Sequence, residues 1–87
     1  MFSGIIEEIG RIEANRNSIL TVGAKATLEG MKLGDSISVD GVCLTIISID
    51  RASFSANISE ETYRKTNLMT AIPGNWVNLE RPLAFNE

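Results

Sequence analysis

Ser36-Ile37-Ser38-Val39-Asp40-Gly41-Val42-Cys43-Leu44-Thr45-Ile46-Ile47-Ser48-Ile49 is the stretch from which the fold is read. Polar and apolar residues alternate from Ser36 to Val39, the period of a strand with one buried face. Asp40-Gly41 then supplies the pair that a two-residue type I′ turn needs, because both central positions take positive φ. Val42 to Ile49 reads as the returning antiparallel strand. Along it Val42, Leu44 and Ile46 share one face while Cys43 and Thr45 share the other.

Working outward, the same alternation of β-rich runs and turn residues continues. A first strand is expected from Phe2 to about Ala14, with Ile5, Ile9 and Ile12 as its apolar points and with bends or bulges at Gly4 and Gly10. Asn15-Arg16-Asn17 turns the chain into a second strand, Ser18 to Val22, and Ala24 to Leu28 offers a short helical turn. A fifth strand runs from Ser53 to Ile58, with Phe54, Ala56 and Ile58 on one face. Ser59 can cap a short helix from Glu60 to about Lys65, whose acids come first and whose bases, Arg64 and Lys65, come last, as the helix dipole favours. Pro73-Gly74-Asn75 leads into a last strand, Trp76 to Leu79. About six short strands separated by turns make an all-β chain of the size of a small sandwich or barrel.

The 87 residues are 44% apolar and 22% charged, enough apolar content for one core and one domain over residues 1–87. The net charge is −3 and the eight basic residues are scattered, which argues against nucleic acid as a partner. No run approaches the ~20 apolar residues of a membrane span, and the amino terminus lacks the order of a signal peptide, so a cytoplasmic location is expected. Cys43 is the one cysteine, so no intrachain disulfide can form. With no histidine, a Ser-His-Asp triad, a Cys-His dyad and imidazole metal sites cannot be built in the chain, and no metal is expected. The acids Glu7, Glu8, Glu60 and Glu61 come in adjacent pairs of the kind found at solvated positions.

Three stretches stand out chemically. If the Val42/Leu44/Ile46 face fills the core, Cys43 and Thr45 look outward and offer a thiol and a hydroxyl beside which a flat ring could lie; a lone cysteine otherwise reads as a small buried hydrophobe. In Asn57-Ile58-Ser59-Glu60-Glu61-Thr62 a strand gives way to a helix whose first N–H groups can bind a carbonyl or anion, or are simply capped by Ser59. In Met1-Phe2-Ser3-Gly4-Ile5, Phe2 is either a core anchor or the edge of a ring site.

Together these stretches resemble the amino-terminal half of the riboflavin synthases and related lumazine proteins. The resemblance is carried by Met1-Phe2-Ser3-Gly4-Ile5-Ile6-Glu7-Glu8, by Asp40-Gly41-Val42-Cys43-Leu44-Thr45, by Glu61-Thr62-Tyr63-Arg64-Lys65-Thr66-Asn67-Leu68 and by Gly74-Asn75-Trp76-Val77-Asn78-Leu79-Glu80-Arg81. It implies a six-stranded antiparallel Greek-key β-barrel with one or two short helices. It also implies a shallow outer pocket for riboflavin or 6,7-dimethyl-8-ribityllumazine, with no metal or redox cofactor. The ligand residues carried over are Ser3, Gly4, Ile5 and Ile6; Cys43, Leu44 and Thr45; and Asn57, Ile58, Ser59, Glu60, Glu61 and Thr62, with Phe2 and Cys43 near the chemistry of the full-length enzyme. Ser3 stands where threonine is more usual, which keeps a hydroxyl.

In that family the enzyme carries two similar barrels in tandem, assembles as a homotrimer, and moves a four-carbon unit between two lumazines, giving riboflavin and 5-amino-6-ribitylaminouracil. This chain stops before the Gly-Gly-His segment expected next, and the second barrel is absent from it. The expectation is therefore a truncated half that binds ligand with little or no turnover and forms a homodimer. The alternatives are a non-catalytic lumazine or flavin carrier, and an unrelated small β-barrel serving as an interaction module.

Overall fold

In the computed structural model, which describes residues 2–66, 68 and 71–83, Asp40 and Gly41 adopt φ of 49° and 83° and close the expected hairpin. Strand β3 (Ser36–Val39) pairs with β4 (Val42–Ile49) in the register Ser38↔Cys43 and Ser36↔Thr45. The turn is pinned to a third strand, β6 (Trp76–Glu80): Asn78 N–H donates to Asp40 Oδ1 at 2.7 Å, and Asp40 N–H donates to the Asn78 carbonyl at 2.8 Å.

The remaining strands are β1 (Glu8–Arg16), β2 (Ile19–Gly23) and β5 (Ser53–Asn57). Hydrogen bonding runs β1-β2-β5-β4-β3-β6 and closes back on β1, so no sheet edge is left open. All pairs are antiparallel. Strands β3, β4 and β5 follow one another around the wall, and β6 returns beside β3, which is a Greek key. The barrel is filled by the inward rows of each strand, including Ile12, Leu20, Ile37, Leu44, Ile46, Phe54, Ala56, Ile58 and Leu79, all under 5% exposed. Each of the leucine, isoleucine and phenylalanine side chains among them contributes ~1.5–3 kcal/mol of burial.

Among the described residues, short helical pieces lie between strands. A 3-10 turn, Ala26–Leu28, is held by Glu8, whose carboxylate accepts from Lys25 N, Thr27 N and the fully buried Thr27 Oγ1 at 2.7–2.8 Å. Helix α1 (Glu60–Lys65) begins at Ser59, whose Oγ accepts from Thr62 N–H at 3.1 Å. Tyr63 ties it to the wall by donating to Asn15 Oδ1 at 2.8 Å, and Asn15 Nδ2 donates to the carbonyls of Leu68 and Ala71.

The first strand departs from expectation. It begins at Glu8 rather than Phe2, and Ile5 and Ile9 are exposed rather than core. Gly4 has a φ of 86°, which breaks the extended run, and the amides of Ser3 and Gly4 are taken by the Glu80 carboxylate instead of a ladder. Ile9 is in the ladder but on its outer row, since Gly10 and Ile12 occupy the inner one. The paired acids Glu7 and Glu8 are also more than solvated: Glu7 makes an ion pair with Arg81 at 2.9 Å and Glu8 holds the 3-10 turn.

Candidate functional site

The outer face of β4 follows from its alternation. Leu44 and Ile46 point into the core, so Cys43 and Thr45 emerge on the outside, both exposed. Cys43 is therefore not the small buried hydrophobe that a lone cysteine suggests. Across the ladder Thr45 faces Ser36 and Cys43 faces Ser38. On the other side Ile46 pairs with Ala56, which precedes the exposed Asn57 at the end of β5. The face thus carries rows of small hydroxyls, a thiol and an amide.

The amino-terminal segment borders this face. Glu80, at the end of β6, lies on the outer row with Trp76 and Asn78, yet only 7% of it is exposed. Its Oε2 accepts from Ser3 N–H at 2.6 Å and from Ser3 Oγ at 2.8 Å, and both carboxylate oxygens lie 3.1 Å from Gly4 N. Glu80 pairs in register with Ser38, which pairs with Cys43. One line therefore runs from Ser3 and Gly4 through Glu80 and Ser38 to Cys43. At strand spacings of ~4.8 Å, the wall from β6 to β5 spans three gaps, about 14 Å.

The three stretches singled out in the sequence converge on four adjacent strands, β5-β4-β3-β6. Their side chains do not all face outward. Leu44 (4% exposed) and Ile58 (1%) belong to the core, so at these positions only backbone atoms can meet a ligand. Phe2 is half-buried, while Gly4, Ile5 and Ile6 are exposed. The start of α1 is occupied by its own cap: Thr62 N–H goes to Ser59 Oγ, and Ser59 Oγ donates to Thr62 Oγ1 at 2.8 Å. Glu60 and Glu61 pair with Arg64 and Lys65 along the helix surface, so their charges are committed within α1.

A depression of about 620 Å³ is lined by Gly4, Ile6, Ser38, Asn78 and Glu80 among others, and reaches this line of residues from the β6 side without including Cys43 or Thr45. Its volume is in the range of small-molecule sites. Beside it Glu7 receives two bonds from the Arg81 guanidinium, and this hydrogen bonding holds the Glu7 carboxyl below its usual range. Burial pushes the Glu8 carboxyl up, but its bonds from Thr27 and Lys25 outweigh this and hold it lower. Two participants left no mark in the sequence reading. Ser38 is a polar residue on an outer row that is nonetheless 6% exposed, and Glu80 follows an apolar strand as any surface acid does. Glu80 is bonded by a segment distant in the chain.

A family model described as "Lumazine binding domain" matches residues 3–82. The chain is 41% identical to a riboflavin synthase of Bacillus subtilis over 99% of its own length and 42% of that protein's. It is 40% identical to a riboflavin synthase of Actinobacillus pleuropneumoniae with the same coverage. Against a riboflavin synthase of Saccharomyces cerevisiae it is 37% identical, over 97% of this chain and 40% of the relative. The chain spans about two fifths of the length of these curated relatives. The barrel, its Cys43/Thr45 face and the bordering amino-terminal segment all lie within the matched residues, and the chain belongs to the lumazine binding domain family.

Proposed function

We propose that this barrel binds riboflavin or 6,7-dimethyl-8-ribityllumazine across the outer face of β4, and that it corresponds to the amino-terminal half of a riboflavin synthase. The observation that carries the reading is the convergence of the exposed Cys43 and Thr45 with Asn57 on one side and the anchored Ser3-Gly4-Ile5-Ile6 segment on the other. A heterocycle with several acceptor atoms needs a few placed donors beside apolar surface. Thr45 and Ser36 offer hydroxyls, Asn57 offers an amide, and Ile5 and Ile6 offer exposed apolar surface.

In the two-barrel enzyme, one lumazine on this barrel and a second on another would be oriented for transfer of the four-carbon unit, and orientation of two reactants supplies much of such a rate. Phe2 and Cys43 border the ring and are the residues of this chain closest to that chemistry. The isolated half binds ligand with little or no turnover, pairs as a homodimer, and works in the cytoplasm. A pure carrier has no use for a thiol at position 43, which favours the synthase reading.

The test is a fluorescence titration of riboflavin with the purified chain, with gel filtration of the same sample. Saturable quenching by a dimer supports the reading. A folded chain that leaves flavin fluorescence untouched refutes it.

A further inference from the structure

We infer that Glu80 is a positioning residue for the ring site: its buried carboxylate anchors the Ser3-Gly4-Ile5-Ile6 segment so that the Ile5 and Ile6 side chains stand over the ligand face. The inference rests on the proposed ring-binding function. A carboxyl group that is only 7% exposed needs compensating donors, and among the described residues its donors come from the far end of the chain. Successive N–H groups of Ser3 and Gly4 converge on it, the geometry of a backbone anion nest, and Gly4 makes this possible by its φ of 86°. Ser3 Oγ extends the nest by accepting from Ile5 N–H at 3.0 Å while donating to Glu80.

The segment is fixed at its other end too, where Glu7 N–H donates to the Leu79 carbonyl at 2.9 Å and Glu7 pairs with Arg81. Between two anchored ends Ile5 is 71% exposed and Ile6 52% exposed. Holding a backbone this firmly while leaving two large apolar side chains in water is costly to the free protein. It is accounted for if those side chains cover an apolar ring, since a pre-ordered segment spares the ligand the cost of ordering it.

The 87-residue chain is titrated with riboflavin unaltered and as Glu80→Gln, Ser3→Ala and Ser3→Thr, with amide exchange followed by NMR on the same samples. In Glu80→Gln one carboxylate oxygen becomes an amide that faces the Ser3 and Gly4 N–H groups. The dissociation constant is expected to rise about tenfold. The Ser3 and Gly4 amides should exchange faster while the β3–β4 ladder stays protected. Ser3 lies outside every strand, so Ser3→Ala keeps the barrel even where Glu80→Gln does not; a rise of about threefold is expected, with recovery in Ser3→Thr. Unchanged affinity in Ser3→Ala, or in a folded Glu80→Gln with a loosened segment, overturns the positioning role and leaves the ring-binding function standing. Failure of the unaltered chain to bind riboflavin overturns both.

Discussion

Replacing Gly10 by alanine puts a methyl group where β1 runs closest to its neighbours. A Cβ at this position meets Leu79 Cδ1 at 2.6 Å, the Gly23 carbonyl oxygen at 2.8 Å and Val22 Cγ1 at 2.9 Å. The two side-chain atoms can give way by rotating, but the carbonyl belongs to the ladder, since Gly23 pairs with Arg11. Overpacking of this kind costs ~1–3 kcal/mol, and the backbone contact sets this site at about 2–2.5 kcal/mol. Gly10 is not among the positive-φ residues, so alanine also recovers ~0.4–1 kcal/mol by restricting the unfolded chain. The net expectation is a loss of about 1–2 kcal/mol. For a domain of this size each kcal/mol lowers the melting midpoint by ~4–8 °C, and a urea slope of ~1 kcal/mol/M moves the midpoint by about 1–2 M. Urea unfolding of both proteins, followed by Trp76 fluorescence or circular dichroism, measures it. A midpoint equal to or above the parent's would refute the close approach of β1 to β2 and β6 at Gly10.

Thr45→Val should weaken riboflavin binding roughly fivefold, the value of one neutral hydrogen bond, as read by the same quenching titration; an unaltered affinity removes the hydroxyl from the site. Cys43 is exposed, so a thiol reagent should label it in the native protein without denaturant, and saturating riboflavin should slow the labelling. Equal rates with and without ligand would separate Cys43 from the bound ring. The carboxyls of Glu7 and Glu8 are held low in the folded state, so the stability they contribute is present above the unfolded carboxylate range and is lost as pH falls through their folded values. The melting midpoint should therefore drop on acidification below about pH 5. Glu7→Gln and Glu8→Gln should each flatten that slope, and a parallel pH profile for both variants would show that other groups set it.

The sheet hairpin was legible because its signals are local. Asp40-Gly41 declares positive φ, and β4 and α1 have the bounds that alternation and capping suggest. The outward direction of Thr45 follows from the same alternation, as does that of Cys43 once its neighbours outweigh the habit of lone cysteines to be buried. The first strand departs from the sequence expectation for an equally physical reason. Ile5 and Ile9 look like core residues by type, but position 5 precedes the ladder and position 9 falls on its outer row, where Ile9 and Trp76 remain 60% and 64% exposed.

Sequence by itself determined that this is an all-β chain of short strands, where its tightest turn lies, and which residues of β4 share a face, because backbone preference and side-chain alternation act within a few residues. Only the tertiary structure decided that β2 lies against β5 and that β6 closes the barrel between β3 and β1. The burial of Glu80 belongs to the same class: the groups that cover it, Ser3 and Gly4, lie 77 and 76 residues away. No local pattern records such a contact, since it exists only when closure of the barrel brings the two ends of the chain together.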